Sequence, residues 1–226
     1  MQETLINIHT HHPTGRPGYL EVENLRFGQE ESGLSSLCTA GLHPWFLSET
    51  TLEVGLDWLR KQASRPTVIA IGEMGLDKAT ITPWPLQMET FEQGANMAET
   101  FHKPLLIHCV RAYADIIALK KAWKPVQPWI FHGFDKNNQV ADMLLNAGCF
   151  LSFGKALLND AQRATTALFH TPPDRFFLET DNADVPLEEI YGKAAAIRAV
   201  SLQQLATQVS LNVQHVFGLG TANSAI

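Results

Sequence analysis

Two histidines one residue apart stand near the start of the chain, after the mostly apolar run Leu5–Ile8. In a β-strand the side chains of residues i and i+2 point to the same side, so a strand here presents His9 and His11 to one point. Two convergent imidazoles are typical ligands of a transition-metal ion. The pair therefore predicts a metal site at the end of the first strand.

Four more acidic or imidazole side chains end later apolar runs of the same kind. Each run is short and rich in Ile, Leu, Val, Trp or Phe, as in a buried strand. The four residues are Glu73, His108, His132 and Asp181. A single histidine after a strand is as often a hydrogen-bonded structural residue as a ligand. The same placement on successive strands indicates instead one shared site.

The apolar runs alternate with segments of helical spacing. Helices are predicted over 86–101, 113–123, 138–147, 156–169, 188–199 and 202–213, with a strand over 149–154. Alternating strands and helices with near-continuously apolar strands favour a parallel sheet covered by helices. In a closed barrel the C-terminal strand ends converge on one face, whereas an open sheet would spread six ligands along an edge. We therefore predict an α/β fold of the TIM-type (β/α) barrel class.

Length and composition agree with this fold class. The chain has 226 residues, 45% of them hydrophobic, and no linker that would divide it, so a single hydrolase domain over 1–226 is predicted. Barrels of this class have roughly 250 residues. No stretch approaches the ~20 apolar residues of a membrane span, and the N-terminus lacks a signal-peptide pattern. Three widely separated cysteines favour reduced thiols and a cytoplasmic location.

The ligand set indicates metal-dependent hydrolysis. Mixed imidazole and carboxylate donors suit zinc, manganese, iron or magnesium, and six donors exceed what one ion takes from a protein. Two divalent ions are therefore predicted, bridged by Glu73 at a separation of roughly 3.5–4 Å. Such a pair activates water at neutral pH, and Asp181 would hold a metal and accept the proton of the attacking water. The net charge of −6 disfavours a nonspecific DNA coat but permits an enzyme whose metals supply local positive charge.

The motifs around these residues resemble the TatD family of metal-dependent deoxyribonucleases, among the amidohydrolase-like barrels. The resemblance runs from Ile8 to Phe217. The matching motifs are Ile8-His9-Thr10-His11, Gly41-Leu42-His43-Pro44, Gly72-Glu73-Met74-Gly75-Leu76-Asp77, the run Pro104–Ala112, His132-Gly133-Phe134, Leu178-Glu179-Thr180-Asp181, and Asn212 with Phe217. The glutamate motif and the Glu-Thr-Asp motif together are specific.

The resemblance implies a two-metal barrel hydrolase that acts on phosphodiesters and removes nucleotides from DNA ends. It implies the same six metal ligands: His9, His11, Glu73, His108, His132 and Asp181. It places His43 and Arg111 near the barrel mouth, where they could contact a substrate phosphate, Arg111 through a guanidinium fork. Asp77 is expected to fix the adjacent loop as a hydrogen-bond acceptor.

The chain departs from the family pattern in its loops. Between His11 and His43 it is shorter by roughly one helix, and a Pro- and Gly-rich stretch followed by a strand over 19–27 fills part of this segment. We therefore expect an abbreviated first βα unit, with the barrel irregular or gapped there. The segments after His132 and Asp181 also differ, which weakens the case for DNA as the substrate but not the case for hydrolysis.

Three functions remain open from the sequence. The first is a metal-dependent phosphodiesterase or deoxyribonuclease with DNA as partner. The second is a hydrolase of small amides, lactones or phosphoesters on the same barrel, and the third is a non-catalytic metal-binding protein. The identity of the metal, the cleavage polarity and the oligomeric state are not determined by the sequence.

Overall fold

A single parallel sheet of eight strands, in chain order, forms the centre of the fold. The computed structural model describes residues 4–159 and 162–219. The strands are β1 (Leu5–Thr10), β2 (Tyr19–Arg26), β3 (Leu37–Gly41), β4 (Val68–Asp77), β5 (Leu105–Val110), β6 (Trp129–Phe131), β7 (Phe150–Phe153) and β8 (Phe176–Leu178). Most of their residues are buried, as expected of strands covered by helices on one side and packed side chains on the other.

The first and last strands meet where two predicted ligand segments come together. Asp181, just beyond β8, forms a parallel bridge with Thr10. Its N–H donates to the His9 carbonyl at 3.0 Å, and the His11 N–H donates to the Asp181 carbonyl at 3.1 Å. The sheet is therefore a nearly closed barrel, which confirms the predicted fold class.

Seven α-helices surround the barrel in the described part of the chain. They are α1 (Leu52–Ala63), α2 (Trp84–Thr100), α3 (Tyr113–Trp123), α4 (Asn138–Asn146), α5 (Gln162–His170), α6 (Leu187–Arg198) and α7 (Leu202–Phe217). Among the described residues, none of the helices combines the length and the apolar character needed to span a membrane.

Most predicted helices are confirmed to within a few residues, and two need correction. The helix predicted over 156–169 is a 3₁₀ turn (Lys155–Leu157) followed by α5, while residues 160 and 161 lie outside the described residues. The last helix continues beyond residue 213 to Phe217, where Gly218 ends it in the left-handed conformation (φ +67°). A left-handed C-terminal glycine is a common helix stop.

The abbreviated first βα unit is confirmed, and the abbreviation extends to the second unit. The connections over 11–18 and 27–36 contain no helix. Buried carboxylates of β2 organise these loops instead: Glu21 Oε2 accepts from the amides of Thr14 and Gly15 (2.7 and 2.9 Å), and Glu23 Oε1 accepts from the amide of Ser32. No gap opens, because β2 pairs with both β1 and β3.

The asparagine of the closing motif has a structural role. Asn212 on α7 is buried, and its Nδ2 donates to the carbonyl oxygens of Pro173 and Phe176, both at 2.8 Å. These two bonds attach the last helix to the start of β8. They account for the asparagine without any contact to the predicted site.

Strands β4 and β5 approach so closely at the barrel mouth that a glycine is required. A Cβ atom at Gly75 would lie 1.9 Å from the His108 carbonyl oxygen. A Cβ at Gly41 on β3 would lie 2.4 Å from the Glu73 carbonyl oxygen. These glycines let the backbones that carry His108 and Glu73 pack directly against their neighbours.

Replacing Gly75 by alanine is expected to destabilise the protein by about 2 kcal/mol, because the added methyl group meets backbone atoms that cannot rotate away. The matched control is Gly192→Ala on α6, where a Cβ meets no atom within 4 Å. Removing a helical glycine should raise stability by about 0.5–1 kcal/mol. Urea unfolding of both variants measures the difference, and equal stabilities would contradict the close approach of β4 and β5.

Candidate metal centre

The Glu73 carboxylate lies at the centre of five imidazoles at the C-terminal end of the barrel. Its side chain is 4% exposed. Oε2 is 3.5 Å from His9 Nε2 and 3.3 Å from His11 Nε2, and Oε1 is 3.1 Å from His43 Nε2, 3.0 Å from His108 Nδ1 and 2.7 Å from His132 Nε2. All six predicted ligands come together here, since Asp181 reaches the same cluster through His9 and His11.

An irregularity in β4 sets the position of Glu73. The sequence predicted a strand ending at Glu73, but the strand continues to Asp77. The register of β4 against β5 shifts between Ile71 and Met74, on either side of the glutamate. Its amide N–H donates not to the neighbouring strand but to the buried Asn24 Oδ1 of β2, at 2.8 Å.

The first group of potential metal ligands consists of His9, His11, Glu73 and Asp181. Their ligand atoms all lie within 4.8 Å of one another. Each imidazole Nε2 is 3.3–3.5 Å from Glu73 Oε2 and 3.5 Å from Asp181 Oδ1. Tetrahedral zinc with bonds of about 2.1 Å separates its ligand atoms by about 3.4 Å. The spacing of this group therefore fits a divalent cation.

The hydrogen bonding of His9 supports the same fit. His9 is completely buried, and neither of its ring nitrogens has a hydrogen-bond partner within the described ranges. A buried polar atom without a partner costs about 1–3 kcal/mol. A cation bound at Nε2 would satisfy that nitrogen and the two carboxylate oxygens that it faces.

Two further carboxylates orient the imidazoles on the other side of Glu73. Asp77 Oδ2 lies 3.1 Å from His108 Nε2, which leaves His108 Nδ1 to face Glu73 Oε1. Glu179 Oε1 lies 3.4 Å from His132 Nδ1, which leaves His132 Nε2 to face the same oxygen. Metal-binding histidines commonly donate their other N–H to a carboxylate in this way. His108, His132 and Glu73 Oε1 thus form a second set of donors.

His43 has a different hydrogen-bonding role. The Trp45 amide N–H donates to His43 Nδ1 at 3.1 Å, so the proton of the neutral ring is on Nε2. That Nε2–H faces Glu73 Oε1 at 3.1 Å. Its distance from Glu73 and His108 would by itself allow a metal ligand, but this tautomer makes His43 a hydrogen-bond donor. The predicted contact with a substrate phosphate stays a prediction.

Burial and charge compete across the cluster. Burial raises the pKa of Glu73, but the charge of His132 and hydrogen bonds from neighbouring imidazoles hold it well below its usual range. Burial lowers the pKa of His132, yet Glu73 and Glu179 raise it well above its usual range. Burial and His132 lower the pKa of His9, whereas the carboxylates of Asp181 and Glu73 raise it to about 9. A cation that binds these imidazoles would therefore displace the protons that the neighbouring carboxylates favour.

Asp181 is the member of the cluster most open to solvent, with 25% of its side chain exposed. Burial raises its pKa, but the neighbouring His9 imidazole, whose Nε2 is 3.5 Å from Asp181 Oδ1, outweighs burial and lowers the pKa to about 2. The carboxylate is therefore ionised at neutral pH. It combines a position within the cluster with access to the barrel mouth.

Arg111 follows β5 at the same end of the barrel and is exposed. It forms no hydrogen bond or ion pair with the residues that the structure describes. Arg111 and Asp181 both have a left-handed backbone (φ +57° and +54°). Non-glycine residues adopt this conformation mainly where the surrounding structure enforces it, often at functional sites. Because the Arg111 side chain is exposed and unpaired within the described residues, its guanidinium is available to bind an anion.

Several residues of the site had no predicted role in the sequence or only part of their role. Asp77 accepts the Ala79 amide at 2.7 Å, as the loop-fixing prediction requires, and also contacts His108 and the indole N–H of Trp45. Glu179 is completely buried and accepts from the Gly133 amide at 2.7 Å besides facing His132. The acidic type and strand-end position of Glu179 were visible in the sequence, but its partner was not.

A cavity of about 350 Å³ adjoins the chain neighbours of Asp181, although Asp181 itself does not line it. Thr180 and Asn182 line it on one side. The shortened connection after β1 supplies His12, Thr14 and Arg16 on the other side. The cavity therefore lies at the shortened connection after β1, which contains no helix.

Curated relatives match most of the chain at low identity. An uncharacterised metal-dependent hydrolase, YcfH of Escherichia coli K12, is 26% identical over 220 residues, covering 90% of this chain and 80% of the relative. A protein named 3′–5′ ssDNA/RNA exonuclease TatD, from Pantoea vagans, is 29% identical over 204 residues, covering 80% and 77%.

Solved structures share the fold. YJJV, a TatD homologue from Escherichia coli K12, superposes with a TM-score of 0.78 at 17% identity, covering 96% of this chain and 98% of its own. A TatD-family hydrolase of Entamoeba histolytica gives a TM-score of 0.77 at 17% identity, covering 96% and 99%. The model of the TatD related DNase family matches residues 21–218. With the fold and the His, Glu and Asp cluster in place, the chain belongs to the TatD related DNase family, a family of metal-dependent hydrolases.

Proposed function

We propose that this protein is a metal-dependent phosphodiesterase that removes nucleotides from DNA ends with two divalent cations. The observation that carries the proposal is the position of Glu73, whose two carboxylate oxygens face two separate sets of donors. A carboxylate shared in this way is the expected bridge of a two-metal hydrolase.

The donor atoms divide into two proposed metal sites. His9 Nε2, His11 Nε2, Asp181 Oδ1 and Glu73 Oε2 would hold one ion. His108 Nδ1, His132 Nε2 and Glu73 Oε1 would hold the other. Bound divalent ions would supply a water-derived nucleophile at neutral pH and stabilise the charge that develops on a phosphoryl oxygen. Zinc, manganese and magnesium all accept such ligands.

The chain's own residues then have separate tasks. The ionised, partly exposed Asp181 carboxylate accepts the proton released by the attacking water. The Nε2–H of His43 donates to an oxygen at the centre of the site. The exposed Arg111 guanidinium binds a phosphate oxygen of the substrate from the mouth. Asp77 and Glu179 hold the rings of His108 and His132 in the required orientation.

DNA is proposed as the substrate because of the family and its named relatives. Several of those relatives are named single-stranded DNA and RNA exonucleases. Positive charge at the mouth supports the same proposal, because Arg111 lies there with no ion-pair partner in 4–159 and 162–219. A net charge of −6 is compatible with phosphodiester binding only where such local charge is present.

The cavity beside Asp181 favours a second candidate function. Its volume of about 350 Å³ is at the lower end of the range for small-molecule sites. Its lining includes the guanidinium of Arg16 and the carboxylates of Glu21 and Asp184, so the cavity presents positive and negative groups to a ligand. A hydrolase of small phosphoesters, amides or lactones would use such a cavity.

The Asp181→Asn variant is expected to lose at least 100-fold in rate, because asparagine cannot accept the proton of the attacking water. The measurement is cleavage of single-stranded DNA labelled at either end, by metal-free protein resupplied separately with Mg²⁺, Mn²⁺ or Zn²⁺. Stepwise, metal-dependent shortening by the parent protein would show which end it attacks.

The matched control for this variant is Asp174→Asn, an exposed aspartate in the 3₁₀ turn before β8, which should leave the rate unchanged. Unfolding curves confirm that both variants retain the fold. Full activity of Asp181→Asn would refute the proposed role. Absence of cleavage with every metal, in parent protein that binds two ions, would favour the small-substrate function instead.

The Glu73→Gln variant is expected to bind fewer than the two ions per chain predicted for the parent protein, since the amide replaces one anionic oxygen of the bridge. Metal analysis after dialysis gives the stoichiometry. Metal at 100 times the dissociation constant should also stabilise the parent by about 3 kcal/mol for each bound ion, and the variant by less in total. Glu89→Gln, an exposed glutamate on α2, is the control. A parent stoichiometry of one ion would contradict the bridge.

The Arg111→Gln variant is expected to raise the KM for DNA about tenfold while kcat changes little, because it removes one charged contact to phosphate. The side chain is exposed, so the fold should be unaffected. Arg60→Gln on α1 is the control, since it removes an exposed arginine at a distance from the mouth. Unchanged steady-state kinetics would remove Arg111 from the proposed substrate contacts.

A further inference from the structure

Two large aromatic side chains are exposed next to the metal centre. Trp45 is 56% exposed and Phe46 is 61% exposed, on the 3₁₀ turn (Pro44–Phe46) that follows β3. Their ring centroids lie 4.9 and 5.5 Å from that of His43, whose Nε2 faces Glu73. Adjacent exposed aromatics at the edge of a site indicate a binding surface more than scattered apolar residues do.

The turn that carries these aromatics is held in place by the site itself. Pro44 is buried, and the Trp45 amide N–H donates to His43 Nδ1. The Trp45 indole N–H donates to Asp77 Oδ2, the same oxygen that faces His108 Nε2. The indole is therefore oriented before any ligand arrives. A pre-oriented ring loses little conformational entropy on binding.

A cation lies against the same surface. The guanidinium carbon of Arg26, at the end of β2, is 5.1 Å from the centroid of the Phe46 ring. Arg26 Nε donates to Gln29 Oε1 at 2.9 Å. Its two terminal nitrogens have no partner among the residues in the described ranges, so they are free to bind an anion. Aromatic faces and a free cation thus lie side by side at the mouth.

We propose that Trp45, Phe46 and Arg26 form a stacking platform for the unpaired nucleobases of a single-stranded substrate. This proposal rests on the proposed phosphodiesterase function. Stacking on aromatic side chains accepts any base, since every base has a π face, and Arg26 lies where the phosphate backbone of a stacked strand can reach it. The bases of a duplex are already stacked on each other, so the platform selects single strands and guides their ends toward Glu73.

Phe46 provides the sharpest test, because it has no hydrogen bond to the metal centre. The test uses an Asp181→Asn background, whose cleavage rate is expected to be at least 100-fold lower; in it, Phe46→Leu keeps apolar bulk but removes the π face. We expect its affinity for fluorescein-labelled oligothymidylate to fall about fivefold or more, as a lost stacking contact predicts. Phe46→Tyr should retain the affinity. Leu211→Ala, which truncates a 52% exposed residue on α7, is the matched surface control.

Fluorescence anisotropy measures these affinities, with a blunt duplex of the same length as the second probe. Weaker binding of the single strand by Phe46→Leu, with duplex binding unchanged, supports the platform. Equal binding by Phe46→Leu and its parent overturns the platform and leaves the proposed function intact. If the protein with Asp181 intact neither binds nor cleaves single strands, both the platform and the proposed function are overturned. If it cleaves them but Phe46→Leu has no effect on binding, the platform alone is overturned.

Discussion

The structure depends on one buried carboxylate that must remain ionised. Burial disfavours the charged form of Glu73, and its surrounding imidazoles compensate for that cost. Those imidazoles come from the ends of different strands, so the carboxylate is stable only when the barrel brings those strands together. The hydrogen bonds between Asp181 and β1 also bring strands together, because they join the first and last strands next to the cluster. Barrel closure and the candidate metal centre therefore depend on the same strand-end contacts.

Two further carboxylates determine which ring nitrogens of the cluster face inward. Asp77 and Glu179 each face one nitrogen of a histidine and thereby select the nitrogen that points inward. Asp77 also binds the indole of Trp45, so the orientation of His108 and that of an exposed ring at the mouth depend on the same oxygen. The interior and the rim of the site are physically coupled through this residue.

The first two βα units depart from the regular strand–helix pattern of the barrel, yet the six candidate metal ligands still come together. Loops fixed by Glu21 and Glu23 replace the expected helices, and the sheet stays continuous. The shortened connection after β1 lines a cavity together with Thr180 and Asn182. Half-buried Arg26 lies against the exposed ring of Phe46 at the mouth. These loops therefore determine what can approach the site, whereas the strand ends position the ligand atoms.

The sequence by itself determined the donor types, their placement at strand ends and the barrel class. Period-two alternation at His9 and His11, and apolar runs ending in acidic or imidazole residues, depend on local backbone geometry and can be read along the chain. Only the tertiary structure decided which ring nitrogen faces inward and that His43 is a hydrogen-bond donor rather than a metal ligand. It also decided that the sheet stays continuous from β1 through β2 to β3. Those outcomes depend on groups far apart in sequence, such as Asp77 with His108 and His132 with Glu179, separated by 31 and 47 residues. No local periodicity records such contacts, because the barrel sets them by bringing strand ends to one face.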